Sequence, residues 1–266
     1  MTSVQHLVSH RWRVPATGFT VDAEDGVPIV GTRLGPDEPS RPALVMAHGL
    51  MGWHRKPRFA VFAELLSHWF VTYPFDLRGH GESGGVGDFG RNEIFDVEAV
   101  VRRAREDGHG VVLTLGTSLG AISVLRHAGL RGGVDGVVAI SSLAYWDWHG
   151  DAHPVARRRF EAQISSPAGR EMLKLWGVRL TEDWEEPESP EDVIGKIAPK
   201  PVLIVHGEND RLFPPAHAHR LYEAANEPKH LLLGATFGHA EDGLTSAFAR
   251  RLARVIHDET GMPWPG

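Results

Sequence analysis

The chain has 266 residues, enough for one large domain with a sizeable core, and 42% hydrophobic and 23% charged residues place it among ordinary globular proteins. A net charge of −6 spread along the chain gives no basic footprint for nucleic acid, and no apolar run approaches the roughly 18 to 20 residues of a membrane span. The sequence has no cysteine for disulfides or thiolate metal sites and no apolar N-terminal secretion segment, so we expect a cytoplasmic protein without a nucleic-acid partner.

The first predicted elements are two strands that form a β-hairpin. GFTVDA at 18–23 and VPIVGTRLG at 27–35 are separated by the turn-forming sequence EDG. Six short apolar runs follow, at residues 42–49, 69–76, 111–116, 136–142, 201–208 and 230–235. Such runs are typical of strands buried on both faces. Because helical patterns alternate with them, we predict an α/β fold with a mostly parallel eight-stranded sheet and helices on both faces.

Helical periodicity is clearest in two of the segments between the strands. In residues 92–107 apolar positions recur on one face, and residues 244–257 repeat the pattern. From 143 to 199, in contrast, we find no convincing strand, only polar–apolar helical stretches interrupted by prolines. We therefore predict a small helical cap at residues 143–199, inserted into a core formed by residues 1–142 and 200–266.

Two segments match the Gly-x-Ser-x-Gly pattern that surrounds many nucleophilic serines: GESGG at 81–85 and GTSLG at 116–120. A nucleophile elbow needs a strand before the serine, a helix directly after it, and glycines that let the two approach closely. Ser118 has this setting, since a buried-strand run precedes it and a sequence with helical periodicity follows it. Ser83 is followed by a glycine-rich loop instead. We interpret Ser118 as the nucleophile and Ser83 as a turn residue bonded to its own backbone.

The acid and the base of a serine triad are expected in loops that follow later strands. Asp210 comes just after the run at 201–208, and His239 lies between the last strand and the final helix. No other histidine after Asp210 combines a strand end, a glycine and a helix start. A capping or turn role is the alternative for both residues, and Glu208 and Asp147 are reserve candidates for the acid.

Backbone N–H groups can stabilise the oxyanion that forms when a serine attacks an ester carbonyl. Leu119 offers one at the start of the helix after the nucleophile, and the HGLMG loop after the first parallel strand offers a second, which we assign to Leu50. His48 in that loop is interpreted as a residue that orders it. We predict no metal site, because His217 and His219 lie two positions apart on a helix and face different directions.

Together these segments resemble the α/β-hydrolase fold superfamily, especially its esterase, lipase and serine-aminopeptidase-like branch with a helical lid. HGLMG is similar to the family's oxyanion loop, DLRGHGES to its glycine-rich loop, GTSLGA to its elbow, HGENDRLFP to its acid loop and GHAE to its histidine loop. The resemblance implies an α/β-hydrolase fold and a carboxylesterase that works without a cofactor. It leaves open thioester or amide cleavage, acyl transfer, and a non-catalytic ligand receptor on the same fold.

Specificity is expected to reside in the cap, which would lie over the strand ends where the serine emerges. The cap contains four tryptophans that could line an apolar pocket: Trp146, Trp148, Trp176 and Trp184. Packing of the cap against the core is the alternative role for them. Our candidate substrate-binding residues for a small acyl ester are Met51, Leu143 and Trp146. The sequence leaves the oligomeric state open.

Overall fold

An eight-stranded sheet forms the centre of the computed structural model, which describes residues 4–147 and 150–260. Its strands are β1 Ala16–Asp22, β2 Pro28–Leu34, β3 Ala43–Ala47, β4 Val71–Phe75, β5 Val112–Thr117, β6 Gly136–Ile140, β7 Val202–Gly207 and β8 Lys229–Gly234. They are ordered β1-β2-β4-β3-β5-β6-β7-β8. β1 pairs antiparallel with β2, and β2 with β4, whereas the remaining pairs are parallel. The predicted mostly parallel eight-stranded sheet is confirmed.

Burial explains why the strands differ in sequence. Every residue of β3, β4, β5, β6 and β7 is buried, because helices cover both faces of the sheet there. β1 lies at the edge of the sheet, and Phe19 is its one buried residue. Along β3, Val45 packs into the core on one face, while Leu44 and Met46 pack into the core on the other. The continuous apolar runs of the sequence are therefore two alternating sets of core contacts.

Helices lie on both faces of the sheet. They are α1 Gln5–Val8, α2 Pro57–Leu66, α3 Glu93–Glu106, α4 Leu119–Leu130, α5 Pro154–Ser165, α6 Pro167–Leu175, α7 Pro190–Ile194, α8 Ala216–Ala224 and α9 Ser246–Thr260. α3, α4 and α8 contribute to the core on one face, and α2 and α9 to the core on the other. α2, α5, α6 and α7 begin with proline, whose fixed φ suits the first helical position. No helix in the described parts of the chain is both long and apolar enough to cross a bilayer.

Residues 143–199 contain α5, α6 and α7, and these helices differ from one another in how they pack. Among its described residues α5 has no buried side chain, yet Phe160 and Ile164 from this helix line the cavity in front of Ser118. α7 instead packs against α4 so closely that a Cβ on Gly129 would lie 2.4 Å from the Val193 carbonyl oxygen. The division of the chain at 143 and 199 remains a prediction. Within it, α7 belongs by its packing to the core.

Candidate active site

Ser118 lies in a tight turn between β5 and α4. Its backbone has φ 52° and ψ −114°, a conformation that residues other than glycine rarely adopt. A Cβ on Gly116 would lie 2.1 Å from the Gly120 carbonyl oxygen, and one on Gly120 would lie 2.2 Å from the carbonyl oxygen of Ala47. Neither position can accept a side chain. The two glycines thus let strand and helix meet closely, with Ser118 at the carboxyl end of the sheet.

The side chains of Ser118, His239 and Asp210 form a continuous hydrogen-bonded chain. Nε2 of His239 lies 2.9 Å from Ser118 Oγ, and Nδ1 lies 2.7 Å from Asp210 Oδ2. When Nδ1–H donates to the carboxylate, Nε2 carries the lone pair that accepts the serine hydroxyl proton. The His239 side chain is 25% exposed and the Asp210 side chain 0%. The structure thus brings the predicted nucleophile, base and acid together, with the predicted base partly exposed and the predicted acid buried.

Asp210 is held in its charged form by several donors. Its Oδ1 accepts the backbone N–H groups of Leu212 and Phe213, each at 2.9 Å. Burial alone would raise the pKa of Asp210, but the hydrogen bond and charge of His239, helped by His206 and the Phe213 N–H, outweigh burial and hold this pKa below its ordinary value of 3.8. One oxygen therefore caps the turn, as in the alternative interpretation, and the other faces the base.

Two supporting residues, His206 and Ser141, were missed by the sequence analysis. His206 Nε2–H donates to the Phe213 carbonyl at 2.6 Å and lies 3.4 Å from Asp210 Oδ2, so this side chain fixes the acid loop. Ser141 Oγ accepts the Ala240 N–H at 3.0 Å and ties the histidine loop to the end of β6. Their positions at the carboxyl ends of β7 and β6 are the signal that could have found them.

The predicted oxyanion loop, HGLMG at residues 48–52, is anchored by hydrogen bonds of the buried His48 side chain. Its Nδ1–H donates to the Gly49 carbonyl at 2.8 Å, and its Nε2 accepts the Leu77 N–H at 3.1 Å. Burial, together with the neighbouring His80, lowers the pKa of His48 to about 3, so the ring is neutral. Because a trans peptide points its C=O and N–H in opposite directions, anchoring the Gly49 carbonyl fixes the direction of the Leu50 N–H.

The predicted oxyanion donors, Leu50 and Leu119, both line the cavity that Ser118 enters. A Cβ on Gly49, the residue before Leu50, would lie 3.3 Å from Ser118 Cβ, which places the loop directly against the nucleophile. Within residues 4–147 and 150–260, neither the Leu50 nor the Leu119 N–H donates to a protein acceptor. Both N–H groups are therefore left without a protein acceptor in the described part of the chain, as the oxyanion prediction requires.

A cavity of about 480 Å³ opens in front of Ser118. Among the described residues, its lining apart from Ser118 itself is Leu50, Phe89, Leu119, Ile122, Leu143, Trp146, Asp147, Phe160, Ile164, Trp184, Glu186 and Phe213. The candidates Leu143 and Trp146 thus lie in the wall. Met51 does not, because its sulfur accepts a hydrogen bond from Gln163 at 3.3 Å and joins the oxyanion loop to α5.

The four tryptophans of the predicted cap have different roles. Trp146 and Trp184 both line the cavity, with their ring centroids 5.5 Å apart in an edge-to-face arrangement. Trp176 packs against Trp53, with the ring centroids 6.3 Å apart, and is absent from the described lining. Trp148 lies outside the described residues. Of the reserve acids, Glu208 is exposed after β7, and Asp147 lines the cavity.

Ser83, the second motif serine, is 2% exposed and holds two segments of backbone together. Its Oγ–H donates to the Asp76 carbonyl at 2.6 Å, and Oγ accepts the Val30 N–H at 2.9 Å. The prediction of a turn residue holds for the backbone, since the Ser83 N–H donates to the His80 carbonyl at 3.1 Å, but the hydroxyl bonds to residues further away in the chain. Its hydroxyl links the loop after β4 to strand β2, which is a structural role.

The histidines of α8 face different environments. His217 is buried and accepts the Ala144 N–H at 3.1 Å, and burial lowers its pKa to about 4, whereas His219 is exposed. Across residues 4–147 and 150–260 we find no group of three His, Asp or Glu side chains that could hold a metal ion.

The sequence profile of the Alpha/beta hydrolase family matches residues 44–257, and the chain belongs to this family. It is similar to the protein named Uncharacterized protein YfhR of Escherichia coli (strain K12), with 27% identity over 231 residues, which make up 84% of this chain and 72% of the relative.

The fold is also similar to those of two esterases of known structure. For the Pyrococcus furiosus esterase Pf2001 the TM-score is 0.75 at 19% identity, covering 97% of this chain and 98% of that one. For the esterase RhEst1 from Rhodococcus sp. ECU1013 it is 0.66 at 19% identity, covering 91% and 99%. At such identities the similarity shows the fold.

Proposed function

We propose that the protein is a serine hydrolase that cleaves carboxylic esters through an acyl-enzyme. The observation that carries the proposal is the hydrogen-bonded chain from Ser118 Oγ through His239 to Asp210, with contacts of 2.9 and 2.7 Å, at the wall of a cavity of about 480 Å³. A neutral imidazole in this position can take the serine proton, and the buried carboxylate stabilises the imidazolium that results.

In the proposed mechanism, Ser118 Oγ attacks the acyl carbon while His239 Nε2 takes its proton. The carbonyl oxygen becomes an oxyanion that accepts the N–H groups of Leu50 and Leu119. His239 then returns the proton to the leaving alcohol, and the acyl group stays on Ser118. Water, deprotonated by the same imidazole, attacks the acyl-enzyme and releases the acid and the free serine.

The cavity supports an ester with an apolar portion. The wall of the cavity that contains Ser118 includes apolar side chains such as Leu143, Ile122 and Phe213, which favour an alkyl or aryl group over a heavily hydrated one. Two proteins of similar fold are named esterases, which agrees in kind with the proposal. A cytoplasmic location remains part of the proposal, resting on the lack of cysteine, and cell fractionation tests it.

Labelling with an active-site-directed fluorophosphonate tests the nucleophile. We expect the native protein to be labelled and Ser118→Ala to be unlabelled, while Ser83→Ala, which removes the other motif serine, keeps its label if circular dichroism shows it folded. Equal labelling of native and Ser118→Ala protein would exclude Ser118.

A panel of p-nitrophenyl esters, compared with aminoacyl anilides, tests the bond that is cleaved. We expect the esters to have the higher kcat/KM. A preference for anilides of more than about tenfold, or about 1.4 kcal/mol in transition-state free energy, would replace the esterase assignment with an amidase.

A further inference from the structure

The described lining of the cavity in front of Ser118 carries negative but no positive side chains. Its charged lining residues, among those that the structure describes, are Asp147 and Glu186, and both are acidic. Within residues 4–147 and 150–260 neither carboxylate has an ion-pair or hydrogen-bond partner. Acidic neighbours of Glu186 do have partners, since Glu185 pairs with Arg91 at 2.7 Å and Glu188 with Arg126 at 2.9 Å. Among the described residues, the negative charges of Asp147 and Glu186 therefore have no paired cation.

Aromatic rings line the same cavity. Trp146, Trp184, Phe89 and Phe160 all belong to its lining. The Trp146 ring is held in place because its indole N–H donates to the Pro187 carbonyl at 2.6 Å. Trp184 packs edge-to-face against both Trp146 and Phe89. Aromatic faces attract cations, most strongly weakly hydrated ones such as quaternary ammonium groups.

We infer that the substrate carries a positively charged ammonium group, and that Asp147 and Glu186 are specificity-determining residues that attract it. The reaction in this inference rests on the proposed ester hydrolysis, whereas the binding of the cation does not. A cationic group is attracted by both carboxylates and by the aromatic rings, while the apolar remainder of the substrate contacts apolar lining residues such as Ile122, Leu143 and Phe213. An acidic substrate meets the same carboxylates and is repelled.

The ammonium group can belong to the alcohol or to the acyl part of the ester, and paired substrates separate these cases. On the alcohol side, butyrylcholine is compared with the ester in which a tert-butyl group replaces trimethylammonium. On the acyl side, the p-nitrophenyl ester of trimethylammoniobutyrate is compared with its tert-butyl isostere. Each pair has the same shape and differs by one charge, so the ratio of the two kcat/KM values, divided by the ratio of the alkaline hydrolysis rates of the same two esters, reports charge recognition.

For native protein at low ionic strength we expect the cationic ester of at least one pair to be favoured about tenfold, from about threefold for each exposed carboxylate. The double variant Asp147→Asn/Glu186→Gln should lose most of this preference. Asp183→Asn is the matched control, because it removes one exposed carboxylate from the same segment outside the cavity lining. A ratio near one in both pairs, or a preference that survives in the double variant, overturns the inference.

A binding measurement separates failure of this inference from failure of the proposed function. Ser118→Ala protein is titrated with each cationic ester and its isostere, and quenching of tryptophan fluorescence gives the dissociation constants. Tighter binding of the cation, lost on adding Asp147→Asn/Glu186→Gln, supports the inference even if the native protein hydrolyses neither ester. Equal affinities overturn it, even if the neutral esters are hydrolysed through Ser118.

Discussion

Replacing His48 by phenylalanine tests whether the oxyanion loop is held from behind. Phenylalanine keeps a buried ring between the loop and Phe59 but removes both ring hydrogen bonds, to the Gly49 carbonyl and from the Leu77 N–H. The first loss frees the peptide that carries the Leu50 N–H. The second leaves a buried donor without its acceptor. The substitution therefore perturbs stability and transition-state binding through different contacts.

The expected losses of stability and of kcat in His48→Phe follow from the hydrogen bonds that the substitution leaves in place. The Gly49 carbonyl keeps a second donor, the Gly52 N–H at 2.7 Å, so loss of its hydrogen bond from His48 costs about 1 kcal/mol. The buried Leu77 N–H is left without an acceptor, which costs about 1 to 3 kcal/mol. We expect the free energy of unfolding to fall by about 2 to 4 kcal/mol. A complete loss of one oxyanion donor costs about 2.7 to 4 kcal/mol in the transition state. Because Gly52 still restrains the loop, we expect a smaller, about tenfold, decrease in kcat.

The assay is steady-state hydrolysis of a p-nitrophenyl ester by folded His48→Phe protein, with urea unfolding measured alongside. The donor acts on the oxyanion and not on the bound ester, so kcat should fall while KM changes little. The same substitution at the exposed His68 is the control and should change neither parameter. If His48→Phe is folded and retains native kcat, the loop does not depend on His48, and this side chain does not orient the Leu50 N–H as an oxyanion donor.

Three further predictions concern the frame of the site. Ser141→Ala removes the acceptor that holds the histidine loop, so we expect kcat to fall severalfold with KM unchanged, and an unchanged kcat would contradict this role. Gly120→Ala should destabilise the fold by about 3 kcal/mol or more through its clash with a β3 carbonyl, whereas Gly110→Ala, where a Cβ meets nothing within 4 Å, should unfold like native protein in urea. Burial lowers the pKa of His217 from 6.5 to about 4, so as the pH falls this histidine is protonated in the unfolded chain before it is protonated in the folded protein. Stability should then fall as the pH drops below about 6.5, by about 2 kcal/mol at about pH 5 for this residue, and less in His217→Gln. Equal acid sensitivity of the two proteins would refute it.

The sheet could be predicted from the sequence because its strands are buried on both faces. Such strands need continuous apolar runs, and each of the six runs overlaps a strand of the structure. Ser118 could be separated from Ser83 for a similar reason. A helix directly after the nucleophile shows helical periodicity in the sequence. The segment after Ser118 has this periodicity and forms α4, whereas the segment after Ser83 lacks it.

The lining of the cavity could not be predicted in the same way. Its cap residues come from α5 and from irregular segments, where no period fixes the direction of a side chain. Met51, which lies in the HGLMG loop, was therefore predicted to bind substrate although it is absent from the described lining, while Phe160 and Phe213 were missed. Supporting contacts such as that between Ser141 and Ala240 are equally hidden, because their partners lie far apart in the chain.

The order of strands explains how such distant residues meet. β3, β5, β6, β7 and β8 are consecutive neighbours in the sheet. The loops at their carboxyl ends supply, in that order, Leu50, Ser118, Ser141, Asp210 and His239. Because parallel strands end at the same edge, a shift in one strand displaces its neighbours' loops as well. The positions of the proposed nucleophile, base and acid are thus set by the sheet, and the loops add only the final hydrogen bonds.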